Sequence, residues 1–534
     1  MSLVRAIATV GGWTMGSRVL GFVRDMFLAG FLGAGQVSDA FFVALQFPNI
    51  FRRLFAEGAF NAAFVPLFAG ELTEHGRAAA REFAERVFGV MLVILIVLTF
   101  VVEIFMAEVM SVVAGGFVDD PEKFQLAVDF ARLTFPYLLF VSLAAMLAGI
   151  LNTLERFVAA AAAPILSNIV LISALVAVAL GWLPDPGLAL SWGVLIAGIG
   201  QFVWLAIACR RAGLLPRVPR FVMGPRVRRL FILMGPGILG AGVYQINVLV
   251  GVRLASELPE GSVSFLYFAD RVNQLPLGVV GAAVGVALLP LLARQLKAGE
   301  TALARDSQNR AIEFAMLLTI PAAAALLVIA DPVITVLFQR GAFDAADAAA
   351  TSRALAAFAL GLPAYVLIKA LAPGFFARED TATPVKIAVV ALIINVAVAL
   401  ALMPVLAHVG IALATAVSSW FNAVMLAALL YRRDLLDPDK RLLQRLVRIV
   451  CAAALMALGL WLGAWLLGDW LVRSDLLGVA RSPCWCWLAS LYMAAARSFC
   501  ARPPCLKCAA CFVVQPRLAM LDLTRAQRHN PRHL

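Results

Sequence analysis

Fourteen apolar runs follow one another along the chain, near 7–33, 38–68, 87–114, 126–151, 158–182, 188–208, 230–256, 264–293, 312–338, 351–376, 385–405, 410–431, 448–468 and, less cleanly, 476–499. A bilayer core takes about 20 apolar residues per helical crossing, so each run suffices for one span. Backbone polar groups have no water to bond inside lipid, which makes these runs α-helices. The polar stretches between them alternate in character. Arg5, Arg77 to Arg86, Arg210 to Arg229, Arg294 to Arg310, Arg378 to Lys386 and Arg432 to Arg448 fall on one side of the predicted bundle. Short acidic or proline-bearing loops, such as Val118 to Glu122, Pro184-Asp185-Pro186 and Glu257 to Glu260, fall on the other. The positive-inside rule makes the basic side cytoplasmic and places both termini there. Arg18 and Arg24 interrupt the first run and no small-residue cleavage pattern closes it, so it reads as a span and not as a signal peptide.

Composition agrees with the pattern. Of 534 residues, 63% are hydrophobic and 14% charged, against about 45–50% and about 25% in soluble proteins. Several water-soluble domains are excluded, and the longest polar connection, around 209–229, leaves no room for a folded extramembrane enzyme domain. The net charge of +12 lies largely in the basic loops, where it orients helices and does not indicate nucleic acid. None of the four histidines, His75, His408, His529 and His533, lies mid-span, and no Walker-type phosphate loop occurs. Asp437-Pro438-Asp439 reads as a solvated turn and not as a metal site.

A weak internal repeat gives the domain plan. Pro66 and Pro290 lie 224 apart, while Pro136 and Pro363, and likewise Asn168 and Asn395, lie 227 apart. These pairs place span 2 over span 8, span 4 over span 10 and span 5 over span 11. Two parallel six-helix lobes follow, 1–229 and 230–447, with 448–534 carrying spans 13 and 14 and an atypical tail. Parallel repeats of this kind are a transporter signature, with the substrate site between the halves near the midplane.

The informative residues defy the apolar pattern: Arg18, Arg24, Asp25, Asp39, Arg52, Arg53, Glu57, Arg253, Asp270, Arg271 and Lys369. Each such residue at a helix centre costs about 2.5–3.5 kcal/mol on insertion scales, so they have to face a polar interior. Arg18 and Asp25, seven apart, share a helix face and can pair; Arg53 and Glu57, four apart, can do the same. Arg253 reads as a helix-end residue snorkelling to the interface, and Asp25, Arg53 and Glu57 fit internal ion pairs as well as a cavity. Arg18, Arg24, Arg52, Arg271 and Lys369 outnumber the available acids. That surplus makes a place for an anion, and guanidinium groups fork onto phosphate oxygens.

Ser17 to Asp25, Ser38 to Ala44 and Pro48 to Phe60 resemble the MurJ (MviN) family of lipid II flippases, and the similarity returns at Tyr267 to Arg271, Lys369 to Phe375 and Thr383 to Lys386. It covers the chain to about residue 470. The resemblance implies the multidrug/oligosaccharidyl-lipid/polysaccharide exporter fold: an all-α polytopic membrane protein of about 14 transmembrane helices, two pseudo-symmetric six-helix lobes around a central cavity plus two extra helices. It implies a transporter and not an enzyme, moving undecaprenyl-diphosphate-linked peptidoglycan precursor across the bacterial inner membrane. Arg18, Arg24, Arg52 and Arg271, with Asp39, are the implied substrate-binding set; Asp25, Arg53, Glu57, Asp270 and Lys369 are the implied supporting or gating set. No cofactor or metal is expected, and sodium, a proton or the membrane potential is the candidate energy source. The implied partners are lipid II and membrane lipids, with cell-wall synthesis enzymes as further candidates. A flippase for another polyprenyl-diphosphate glycan and a multidrug/cation antiporter of the same superfamily are the alternatives. The surplus of arginines disfavours the antiporter, whose cavity has to attract cations.

Cys484, Cys486, Cys500, Cys505, Cys508 and Cys511 cluster in the last sixty residues, where Arg481-Ser482-Pro483 and Arg502-Pro503-Pro504 replace the expected clean fourteenth span. No second ligand pair completes a metal site around the C-x-x-C spacings. A shift of reading frame near 475–485 accounts for both the cysteines and the loss of similarity.

Overall fold

A computed structural model describes residues 3–53, 60–217 and 220–471. Among these residues the chain forms α-helices and one short 3-10 turn, with no strand. The first half contains α1 (Leu3–Leu32), α2 (Gln36–Phe51), α3 (Phe60–Glu74), α4 (Gly76–Ile104), α5 (Met106–Val113), the 3-10 turn Gly115–Phe117, α6 (Pro121–Thr134), α7 (Tyr137–Thr153), α8 (Phe157–Ala179) and α9 (Pro186–Arg211). The second half contains α10 (Pro225–Ser256), α11 (Ser262–Lys297), α12 (Thr301–Val328), α13 (Ala330–Phe338), α14 (Ala345–Phe376), α15 (Ala382–Leu406), α16 (His408–Arg432) and α17 (Lys440–Leu471). The protein is a polytopic membrane protein: nine described helical segments, with α6 and α7 counted as one, are long and apolar enough to cross a bilayer. The longer α1, α10 and α11 have 30, 32 and 36 residues, ample for a crossing at about 1.5 Å per residue.

Thirteen of the fourteen apolar runs coincide with these helices; the fourteenth, 476–499, lies outside the described residues, as do the tail cysteines. Several runs are broken. The run 126–151 divides at Phe135–Pro136 into α6 and α7, because proline cannot donate to the preceding turn. Pro363, its counterpart 227 residues on, stays inside α14. Two of the acidic-side loops lead straight into helix starts. Asp120 accepts from the Lys123 N–H at 3.2 Å ahead of Pro121, and Asp185 accepts from the Gly187 N–H at 2.8 Å ahead of Pro186. Each combines a side-chain cap with a proline whose missing N–H is no loss in the first turn.

The repeat is visible in packing. In the first half α8 lies against α1, where Asn168 donates to the Ser17 carbonyl at 3.0 Å; in the second, α15 lies against α10, where Asn395 donates to Asn247. The two asparagines thus tie corresponding helices. Lipid tails give no hydrophobic drive for helix association, so close packing and such interhelical hydrogen bonds hold the halves together. Outward faces are apolar instead, as with exposed Phe100, Trp182, Leu455 and Trp465. Helix α17 packs on α12, where Glu313 receives Arg310 and Arg445 and where Arg310 also reaches Asp439. The Asp437-Pro438-Asp439 segment is therefore an irregular connection that fastens the start of α17 to α12.

Candidate functional site

The halves meet tightly at the acidic-loop end. Gly33 (φ +64°) and Gly341 (φ +58°) let the end of α1 approach the 340–343 loop backbone to backbone, and the Ala342 N–H donates to the Gly30 carbonyl at 2.9 Å. A Cβ on Gly33 would stand 2.5 Å from the Ala342 oxygen, so only glycine fits. Phe42 of α2 stacks on Tyr267 of α11 at 3.8 Å, beside the buried Phe268, Phe338 and Phe343. Asp39, in the first turn of α2 and 1% exposed, crosses to the opposite half. Its carboxylate accepts from the N–H groups of Gly261 (2.8 Å) and Ser264 (2.9 Å), from the Ser264 hydroxyl (2.6 Å) and from Lys123 Nζ (2.9 Å). Asp39 therefore closes the start of α11, whose free N–H groups form an anion-seeking end.

Below this seal the charged residues are stacked by depth. Counting from Leu32 at about 1.5 Å per residue, Arg24 lies about 12 Å and Arg18 about 21 Å along α1; counting from Ser262, Arg271 lies about 14 Å and Gly278 about 24 Å along α11. At the first level Arg24 Nη2 holds Asp25 Oδ1 at 2.6 Å and Arg24 Nη1 donates to Asn168 at 3.1 Å. Arg271 approaches the other Asp25 oxygen at 3.6 Å, donates to the Tyr267 hydroxyl at 2.9 Å and lies 4.6 Å over the Tyr267 ring. Asp25 is thus shared by two arginines from opposite halves. The Arg18–Asp25 pair expected from their seven-residue spacing does not form, because the neighbouring Arg24 and the facing Arg271 take both oxygens.

At the next level the exposed Arg18 guanidinium lies directly against Gly278. Lys369 of α14, also exposed, lies against Gly281 one turn further and is an electrostatic neighbour of Arg18. The absence of side chains at these glycines leaves room for both cations. On α2, Arg52 donates to Asn49 at 3.0 Å, and Arg53, in a π-type turn, reaches across to the Tyr244 hydroxyl and lies near Asp270. Asp270 accepts from Gln274. The partner expected for Arg53, Glu57, lies outside the described residues. Among the described residues, the five cations Arg18, Arg24, Arg53, Arg271 and Lys369 are thus gathered with two carboxylates, Asp25 and Asp270, while Arg52 is held by Asn49. Arg253 belongs elsewhere: it pairs with Glu257 at 2.5 Å and packs on Gly115 at the acidic-loop end.

The family model of the lipid II flippase MurJ matches residues 28–480. The chain belongs to the MurJ family. A probable lipid II flippase MurJ of Rhizobium meliloti (strain 1021) is 49% identical over 477 residues, 88% of each chain. A lipid II flippase MurJ of Burkholderia cenocepacia is 36% identical over 461 residues, 86% of this chain and 89% of the relative. Among solved structures, a lipid II flippase MurJ in an inward closed conformation aligns with a TM-score of 0.77 at 23% identity, covering 92% of this chain and 99% of that one. An inward-facing multidrug resistance MATE family transporter of the MOP superfamily aligns at 0.66 and 15% identity, covering 80% and 98%. These two likenesses concern the fold. The MurJ match includes Asp39, Arg52, Arg53, Asp270, Arg271 and Lys369; Arg18, Arg24 and Asp25 precede it and join the site through geometry. The match ends one residue before Arg481-Ser482-Pro483, inside the interval where the sequence departs from a clean fourteenth span.

Residue patterning missed several members of this site. Lys123 stands in the first turn of α6, just after a segment that reads as an acidic loop, and a lysine there, against the positive-inside rule, is the available signal. Gly261 and Ser264 act through backbone N–H groups, which leave no mark in composition.

Proposed function

We propose that this chain is a lipid II flippase, carrying the undecaprenyl-diphosphate-linked peptidoglycan precursor from the cytoplasmic to the periplasmic leaflet of the bacterial inner membrane by alternating access. The observation that carries the reading is the surplus, among the described residues, of Arg18, Arg24, Arg271 and Lys369 over the one carboxylate of Asp25 beneath the Asp39 seal. With basic loops cytoplasmic and the N-terminus inside, the seal is periplasmic and the cations belong to an inward-facing cavity. Arg18, Arg24, Arg52 and Arg271 are the substrate-binding set; Lys369 guides the anion from the cytoplasmic side, and Arg53 and Asp270 link the lobes.

The diphosphate enters past Lys369 and Arg18 and reaches Arg24 and Arg271. Its charge and number of acceptor oxygens exceed those of one carboxylate, so it competes with Asp25 for both arginines. Losing the Arg271–Asp25 contact loosens one tie between halves, and the lobes rock open at the seal while the lipid tail stays in the bilayer. After release, a cytoplasm-negative potential favours return of the cationic cavity, at about 2.3 kcal/mol per charge for each 100 mV traversed. A cationic drug would meet repulsion throughout this pathway.

Arg24→Ala is expected to abolish complementation of a flippase-depleted strain while membrane expression stays normal. Full complementation by that variant would overturn the anion-site assignment. Reconstitution in liposomes with labelled lipid II, a neutral lipid and a cationic dye separates this activity from the antiporter reading, since only the first should change leaflet.

A further inference from the structure

The connection between the two halves is pinned on one side and unsatisfied on the other. Arg217 and Arg220 both rest on the N-terminal part of α4, where the Arg217 N–H donates to Glu85 Oε1 and the Arg220 N–H to the Glu85 carbonyl, each at 3.2 Å. The Arg220 guanidinium reaches Glu82 and Glu85 at 3.5 Å, and Arg226 pairs with Glu71. Three acids thus hold the connection to the first half. Arg228 and Arg229, at the start of α10, are exposed and have no carboxylate partner among the described residues.

The first turns of α10 have two distinct faces. Val227, Leu230 and Met234 turn inward and are buried. Outward, Ile232 and Leu233 follow Arg228 and Arg229 at four-residue spacing, so an apolar pair lies about 6 Å deeper along the same face. Phe221, Val222 and Met223, on the pinned connection beside them, are exposed too; Phe221 is 64% and Ile232 65% exposed. Met223, Pro225, Arg228, Arg229 and Ile232 line a shallow recess of about 420 Å³. Cations at one level with apolar side chains one turn deeper match the layering of a leaflet interface.

We propose that this recess binds the headgroup phosphate of an anionic phospholipid of the cytoplasmic leaflet. Arg228 and Arg229 grip the phosphate, Ile232 and Leu233 guide the acyl chains, and Phe221 to Met223 cover the headgroup from the side. The bound lipid holds the start of α10 at a fixed depth, next to the contacts that fasten the connection to α4. The assignment rests on the proposed orientation and not on the identity of the cargo.

Native mass spectrometry of the full chain in detergent, titrated with phosphatidylglycerol or phosphatidylcholine, tests it. The unsubstituted protein should retain one phosphatidylglycerol more than the Arg228→Gln/Arg229→Gln variant, whose affinity at this site should fall about thirty-fold at roughly five-fold per cation. The Arg228→Lys/Arg229→Lys variant should keep most of the binding, and equal melting temperatures of all three in zwitterionic lipid would show that folding is intact. Arg24→Ala should leave the binding unchanged, which separates failure of this site from failure of the transport reading. Undiminished phosphatidylglycerol retention by the double glutamine variant, equal retention of the two lipids by the unsubstituted protein, or displacement by glycerol 3-phosphate at equal concentration would overturn the proposal.

Discussion

Asp39 and Asp25 are both buried carboxylates within helices of the first half, and they are served by opposite kinds of partner. Asp39 is met mainly by backbone and hydroxyl donors that cannot leave without moving α11, plus one lysine. Asp25 is met by two arginines whose side chains can swing, one from each half. The first arrangement is complete in itself and suits a closure. The second leaves guanidinium donors in excess and suits a site where one anion replaces another. Buried charge becomes a seal or a binding site according to whether its partners are fixed to the backbone and whether the count of charges closes.

The sharpest way to break this contrast is Asp39→Asn. The substitution keeps the shape but leaves Lys123 buried at 8% side-chain exposure without its counter-charge. Removing one partner of a buried pair costs about 3–5 kcal/mol. We expect the closed arrangement to give way, seen as longer distances between spin labels at Asp119 and Asp344, which sit in exposed loops of opposite halves. An unchanged distance distribution would place the strength of the seal in the Gly33–Ala342 contact and the Phe42–Tyr267 stack instead.

Asp25→Asn should act in the opposite sense. It removes the built-in competitor while leaving Arg24 and Arg271 in place, so a short-chain prenyl diphosphate should bind about ten-fold more tightly, near 1.4 kcal/mol. Flipping should slow, because release becomes harder. Fluorescence titration in detergent reads the affinity; weaker binding would mean that Asp25 chiefly orients the two arginines.

How much of this was legible in the sequence follows from what each residue depends on. The spans are legible because lipid imposes long apolar helices, and the loops because polar residues gather where those helices end. The cations were legible because each violates the apolar rule. Their pairing was not. Helical spacing matched Arg18 with Asp25, but the pairing is decided by Arg271, which arrives from the other half, and by Arg24, long enough to fold back on its neighbour. The resemblance groups Asp39 with the arginines, and an acid inside an apolar run looks alike wherever it points; its placement in the seal depends on the start of α11, 222 residues away. Asn168 shows the limit well: its spacing from Asn395 revealed the repeat, while its contact with Arg24 required the packed lobe.

A third acid–base pair supplies the mildest test, because it combines the same charge types without the burial. Asp380, in the loop between α14 and α15, accepts from the Thr383 N–H at 3.0 Å and hydroxyl at 2.7 Å and pairs with Arg433 at 2.8 Å. These bonds, the Thr383 backbone donor foremost, lower its pKa from the ordinary 3.8 to about 2. A carboxylate with a depressed folded-state pKa adds stability above its ordinary pKa and loses it as the pH falls through the folded value. Asp380→Asn should therefore melt slightly below the unsubstituted protein at neutral pH, with the gap narrowing below about pH 4 and closing near pH 2. The Arg433 side chain is 46% exposed, so water and salt screen the pair and the shift should be small and salt-sensitive. Neither the label distances at the seal nor diphosphate affinity should move. If they do, the effect assigned to burial at Asp39 and Asp25 belongs to charge pairing in general, and the contrast between seal and binding site loses its physical basis.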